Sequence, residues 1–248
     1  MADVREWKHA SSDFMLNVDI VFVIDATLSM QHSINLIKAT TTNFYADLKS
    51  ALNECGRTIS RLRVKIIWFR DIYFDGEFAF GESKFYELPD ENDSYKKYVS
   101  SIYEGGGGGL DDDETSLEAL TTAMRSDFNQ DGRKKRHIIV LFTDSGAHPL
   151  ERYDDFVQQA SEIGCTNMKY PDNMPKSLDE VIAMWNGTST EELKIDADGK
   201  RMILFAPDTY PWNKLDRQSY IQHSSISLKQ GGKEVDLDLL YEVLRHSI

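Results

Sequence analysis

Four short apolar runs punctuate the chain: Val18 to Ile24, Val64 to Phe69, His137 to Phe142 and Met202 to Phe205. Each is rich in Val, Ile and Phe and does not alternate, the pattern of a strand buried on both faces. Between them apolar residues recur at helical spacing. The first set is Ile34, Ile37, Phe44, Leu48 and Leu52, and further sets run over Tyr95 to Ile102, Leu117 to Phe128, Phe156 to Ile163, Leu178 to Trp185 and Leu237 to Leu244. Strand and helix alternate, which predicts an α/β fold: a doubly wound, mostly parallel six-stranded, Rossmann-like sheet with helices on both faces. Glu77 to Leu88 alternates loosely and reads as one antiparallel edge strand or hairpin, and a last short strand is expected around Ser225 to Leu228.

No internal repeat and no linker rich in Pro or Ser divides the sequence, so residues 1–248 read as a single domain. The stretch from Pro149 to Gly199 is longer than an ordinary crossover and reads as a decorated connection with its own helix, with Asp198-Gly199 as a turn. A chain of 248 residues with 41% hydrophobic content can bury a sizeable core, which argues against disorder. Charge narrows the function classes. Lys and Arg number 28 against 41 Asp and Glu, a net charge of −13, and the only dense basic run is Arg133 to Arg136. Backbone binding by clustered cations is therefore not expected, and nucleic acid is set aside.

No stretch reaches the length of a membrane span, and Met1 to Asn17 lacks a charged-then-apolar signal architecture, so a cytoplasmic protein with no membrane partner is expected. Cys55 and Cys165 lie far apart and outside any C-x-x-C, which indicates neither a disulfide framework nor a Cys-rich metal site. The sequons at Asn92 and Asn186 then carry no meaning.

In an open parallel sheet, chemistry collects where strands end at their carboxyl edge. After the first run comes Asp25-Ala26-Thr27-Leu28-Ser29, a D-x-T-x-S in which one carboxylate and two hydroxyls can converge. After the run ending at Phe142 comes Thr143-Asp144-Ser145-Gly146, a second carboxylate at the same edge. Between them Gly105 to Gly109 leads through Leu110 into Asp111-Asp112-Asp113-Glu114-Thr115 at the start of a helix. Carboxylates and hydroxyls without a His or Cys cluster form an all-oxygen site for a hard divalent cation, Mg²⁺, Mn²⁺ or Ca²⁺ rather than Zn²⁺.

At these residues the chain resembles the von Willebrand factor A (vWA) domain family over nearly its whole length, from Val18 to the last helix. The metal-ion-dependent adhesion site (MIDAS) of that family uses a D-x-S-x-S loop after the first strand, a Thr or an acid in a second loop, and an Asp after the fourth strand. Phe69-Arg70-Asp71, the run Asp113-Glu114-Thr115-Ser116-Leu117-Glu118-Ala119-Leu120 and the spacing of Asp144 to His148 look most like microbial stand-alone or alpha-kinase-associated vWA domains. The resemblance implies metal ligands at Asp25, Thr27, Ser29 and Asp144, with Glu114 nearest the second-loop position and Asp111 and Thr115 as competitors. It implies a bound Mg²⁺, with Mn²⁺ or Ca²⁺ as alternatives. It also implies a scaffold or adaptor function in which the cation docks another protein, such as an AAA+ ATPase, a kinase or another subunit of a multi-component system. Thr27 stands where Ser is commoner and keeps the hydroxyl. If Glu114 or Asp111 coordinates directly, three carboxylates face one dication and the site sums to −1, which disfavours an acidic partner group.

Simpler readings stand beside these. Asp25 and Asp144 can cap helices, and the acids from Asp111 to Glu114 can favour a helix N-terminus. The glycine run is no phosphate cradle, because acids follow it and no Lys does. Asp196-Ala197-Asp198-Gly199 lacks the closing Glu of a Ca²⁺ loop and has Lys200 at its fifth position. His148 reads as an orienting or surface residue, and Tyr210, Trp212 and Tyr220 as rim or sheet cover.

No nucleophile with a matching base is evident, so no catalytic residue is assigned and a non-enzyme is expected. One alternative is a Mg²⁺-dependent phosphatase of the haloacid-dehalogenase type with Asp25 as nucleophile, although the acid pair that class carries after its fourth strand is missing at Ser145 to His148. Another is an assembly subunit whose metal is purely structural.

Overall fold

The computed structural model describes residues 16–40, 43–54, 56–103, 105–106, 111–227 and 237–248. Met1 to Met15 of the N-terminal stretch read for a signal, Cys55, the run Gly107 to Leu110 and Leu228 lie outside the described residues.

Strand β1 (Leu16–Asp25) is the centre of the sheet and is flanked in parallel by β2 (Ile59–Phe69) and β5 (Lys134–Phe142). Outward from β5 run β6 (Lys200–Ala206) and β7 (Ile221–Ser225), both parallel. At the other edge β3 (Phe80–Glu82) and β4 (Tyr86–Leu88) each pair antiparallel with β2, giving the order β3-β2-β1-β5-β6-β7 with β4 off that path. The sheet is thus doubly wound and mostly parallel, with helices on both faces.

The segment from Glu77 to Leu88 supplies two short edge strands rather than one, which raises the strand total among the described residues to seven. At the break Ser83 Oγ accepts from the Ile66 backbone N–H at 2.9 Å and donates to the Lys84 carbonyl at 2.7 Å, so a side chain stands in for the ladder between the two strands. Gly81 lies opposite Trp68, and a Cβ at Gly81 would stand 2.5 Å from the indole, so the ring packs where a side chain would be. The last strand spans Ile221–Ser225 and meets the expected Ser225 to Leu228 only at Ser225.

Pleating sends β1 side chains alternately to two cores. Val18, Ile20, Phe22 and Ile24 join one with α1 (Gln31–Thr40), α2 (Phe44–Glu54), α4 (Asn92–Ser101) and α9 (Leu237–Ser247). Val21 and Val23 join the other with α5 (Ser116–Met124), α7 (Leu178–Asn186) and the short α8 (Trp212–Leu215). The apolar set from Ile34 to Leu52 thus occupies two helices.

The connection from 149 to 199 carries α6 (Tyr153–Glu162) as well as α7. Phe156 and Ala160 of α6 form a small third cluster with Tyr73 of α3 (Ile72–Asp75). Among the described residues no helix is long and apolar enough to cross a membrane.

Two of the apolar runs contain charges that the structure explains. Asp19, 2% exposed in β1, accepts from Arg63 Nε at 2.8 Å and from the Asn129 backbone N–H at 2.7 Å. Lys65 in β2 pairs with Glu82 of β3 at 2.6 Å.

Candidate metal centre

Chain order and strand order place the site. The chain leaves β1 toward β2 on one side and reaches β5 on the other, so the carboxyl ends of β1 and β5 border the crevice where the winding reverses. Asp25 ends β1 and Asp144 follows β5 by two residues.

Asp25 is fully buried, and its two oxygens are divided between two loops. Oδ1 accepts from the Thr27 hydroxyl at 2.6 Å and the Thr27 backbone N–H at 2.9 Å, while Oδ2 accepts from the Thr143 hydroxyl at 2.8 Å. Thr27 Oγ1 lies 3.1 Å from Ser29 Oγ, and the Ser29 hydroxyl donates to Asp144 Oδ1 at 2.9 Å. Asp25, Thr27, Ser29 and Asp144 therefore form one continuous polar chain. Neither carboxylate acts as a helix cap. Asp25 is spent on its own turn, and Asp144 is followed by a 3-10 turn that begins only at Leu150.

Glu114 reaches this site through the backbone. It forms a parallel bridge with Ala147, and its carbonyl accepts from the His148 N–H at 3.1 Å, which pins the second loop to the loop after β5. Its side chain is 7% exposed and Oε2 has no hydrogen-bond partner. Burial, and then repulsion from Asp25, Asp71, Asp75 and Asp144, push its carboxyl up to about 10. Asp25 is pushed up to about 6, chiefly by burial and against the lowering effect of the Thr27 hydrogen bonds.

The two competing second-loop positions point elsewhere. Thr115 donates its hydroxyl to the Arg70 carbonyl at 2.5 Å. Asp111 accepts from the Asp113 N–H at 3.1 Å and stands 3.8 Å from His148 Nδ1.

Two residues that the sequence left without a role matter here. Thr143 closes the second oxygen of Asp25. Arg70, 2% exposed, donates to the carbonyls of Ala26 at 3.2 Å, Phe78 at 3.0 Å and Tyr103 at 2.7 Å, tying three loops of this edge together. Its signals were its place just after a strand that ends beside β1 and its membership of the Phe69-Arg70-Asp71 motif. His148 is no surface residue, being 2% exposed, and Trp212 is buried with its indole donating to the Ser145 carbonyl at 2.9 Å. Tyr220 is exposed and Tyr210 partly so.

The donor set suits a hard dication. It consists of two carboxylates bridged by two hydroxyls, with a third carboxylate oxygen buried and unsatisfied close by, and a cation would supply the partner that oxygen lacks. Among the described residues no group of three or more His, Cys, Asp or Glu side chains is already arranged around a metal position. Ligation here would rest on hydroxyls as much as on carboxylates.

Fold and site together define a doubly wound α/β domain with an oxygen-rich centre at its switch point. No family model and no curated protein sequence matches the chain. Among solved structures it is similar to a pilus adhesin, SpaC, from Lactobacillus rhamnosus GG, at 11% identity and a TM-score of 0.49, covering 93% of this chain and 31% of the adhesin. It is also similar to proximal thread matrix protein 1 from the mussel byssus, at 12% identity and a TM-score of 0.45, covering 95% of this chain and 49% of that one. The chain spans less than half the length of both structures, and likeness at this level says nothing of what it binds.

Proposed function

We propose that the chain is a non-catalytic, metal-ion-dependent protein-binding module in which Asp25, Thr27, Ser29, Glu114 and Asp144 hold a divalent cation that helps dock another protein. The vWA resemblance supplies the idea of docking. The observation that carries it is the unbroken hydrogen-bonded chain from Thr143 through Asp25, Thr27 and Ser29 to Asp144, beside the unsatisfied Glu114 oxygen. Mg²⁺ is the first candidate for an all-oxygen site in a water-accessible crevice, since Leu28 is 66% exposed and Ser29 is exposed. Thr115 and Asp111 are assigned no direct ligation, because their polar atoms are turned to Arg70 and toward His148. A cytoplasmic location belongs to the same proposal.

The phosphatase alternative fares worse. The acid pair that such a phosphatase carries after its fourth strand is missing here, where Ser145, Gly146, Ala147 and His148 follow Asp144.

The test is capture of a partner from lysate of the native host by wild type and by Asp25→Asn with Asp144→Asn, each with Mg²⁺ and with chelator. The proposal expects one protein retained only by wild type with Mg²⁺. Retention that ignores both the substitutions and the chelator would leave the metal a structural role.

A further inference from the structure

A cleft of about 420 Å³ lies between the start of α6 and the segment 170–176 of the long connection. Tyr153, Tyr170, Pro171 and Met174 form its apolar lining. Its walls are held from behind. Tyr170 donates its hydroxyl to Glu118 Oε1 of α5 at 2.9 Å, and its ring stands 4.6 Å from that of Tyr153 at a tilt of 54°. Arg125 donates to the carbonyls of Asp172 at 3.3 Å and Asn173 at 2.7 Å, and Glu191 fixes Arg125 in turn at 2.7 Å. A ligand entering such a cleft has little of the wall to reorder. Three charged side chains also line it: Glu151 and Asp154 on the α6 side, and Lys176 on the opposite segment. Among the described residues neither acid has a basic partner, since Arg152 between them turns to Asp155 at 3.1 Å. The negative field continues past the cleft, where burial and then Glu151, Asp113 and Asp179 push the Tyr210 phenol up to about 12. Three tyrosines of the chain are exposed, Tyr103, Tyr153 and Tyr220. Arg70 stands 4.5 Å over the Tyr103 ring and Arg201 stands 4.9 Å over the Tyr220 ring. Tyr153, 37% exposed beside two acids, carries no cation of its own among the described residues.

We propose that this cleft takes an arginine side chain from a partner protein, its guanidinium against the Tyr153 ring and paired with Glu151 and Asp154. A guanidinium is planar and weakly hydrated, so it stacks on an aromatic face while its N–H groups reach carboxylates at the edge. A lysine ammonium has no plane to stack and gives up its water less readily, and a carboxylate or phosphate would be repelled by the two acids. The arginine stem would cover Pro171 and Met174, and the remaining space admits its neighbours in an extended segment. The net charge of −13 favours approach by a basic partner surface. This inference does not depend on the cation reading.

The experiment titrates the full chain, at low salt with EDTA, with an N-acetylated and C-amidated Ala-Arg-Ala tripeptide and with its lysine and citrulline counterparts. Binding is read from the NMR signals of the Tyr153 ring and the Met174 methyl, assigned by their loss in Tyr153→Leu and Met174→Leu. We expect saturable shifts with the arginine peptide and about fivefold weaker binding of the citrulline peptide, which keeps the shape and lacks the charge. The lysine peptide should also bind more weakly than the arginine peptide. Glu151→Gln with Asp154→Asn should abolish the advantage of arginine over citrulline, and Tyr153→Leu should weaken the arginine peptide about threefold, read at Met174. All of these side chains are at the surface, so the variants keep the fold. Equal binding of the citrulline or lysine peptide, unchanged affinity in either variant, or no saturable shift with arginine would each overturn the assignment. Because the chelator is present throughout, failure of the cation reading would leave this result untouched.

Discussion

At the residue scale the decisive feature is that Asp25 and Glu114 are acids held where their charge is unwelcome without a cation. Both bind their proton more tightly folded than unfolded. In the metal-free chain their contribution to stability is therefore fully present below the ordinary carboxyl value, and it is lost as pH rises through about 6 for Asp25 and about 10 for Glu114. Without metal, we expect thermal unfolding at a higher temperature at mildly acidic than at mildly alkaline pH. Asp25→Asn should flatten that slope and raise the metal-free midpoint at neutral pH, by about 2–4 °C for each kcal/mol regained in a chain of this size. The amide can still accept from Thr27 at one atom and face the Thr143 hydroxyl with the other. A metal-free Asp25→Asn chain that melts below wild type at neutral pH would count against a strained, charged Asp25. Glu114→Thr removes one carboxylate from the centre and should strengthen binding of acidic partner groups with Mg²⁺ present, as measured by peptide titration; unchanged or weaker binding would remove the charge argument.

At the element scale the site is held by loops, and the loops by Arg70 and by the strands beneath them. Arg70→Met deprives the Ala26, Phe78 and Tyr103 carbonyls of a shared donor. The Ala26 carbonyl keeps its bond from the Gly105 N–H and the Phe78 and Tyr103 bonds are only part-buried, so the loss should total about 1–3 kcal/mol, lowering the midpoint and raising the Mg²⁺ concentration needed to stabilise the chain, read by melting over a Mg²⁺ series. Asp19→Ala leaves Arg63 without its carboxylate near the opposite end of β1 and should cost about 3–5 kcal/mol without altering the response to Mg²⁺. Denaturant unfolding with and without Mg²⁺ separates the two effects.

The strands and their order of appearance were legible because unalternating Val, Ile and Phe runs have few other readings, and so was the convergence of Asp25 with Asp144. What was not legible depends on contacts between distant segments. The division between α1 and α2 does not interrupt the apolar spacing from Ile34 to Leu52. The edge divides at Ser83, whose hydroxyl meets the Ile66 N–H of a distant strand, and Thr143 reads as strand end until Asp25 is placed beside it. Glu114 stood out from its acidic neighbours only by register, and it is the bridge to Ala147 that brings it to the centre.

For the whole molecule, two packed cores enclose a central strand whose carboxyl end carries the acids, while the connection from 149 to 199 lays α6 beside that edge. A surplus of negative charge around the crevice predicts that partner capture weakens as salt rises, through slower association more than faster dissociation. All of this turns on whether Asp25 and Asp144 share a divalent cation. The most direct measurement is a calorimetric titration of MgCl₂ into metal-free wild type and into the folded variants Asp25→Asn and Asp144→Asn, repeated in two buffers of different ionisation heat. The account predicts saturable binding to wild type with release of protons as buried carboxyls ionise, and no binding to either variant. Absence of binding to wild type, or equal binding to the variants, would contradict it.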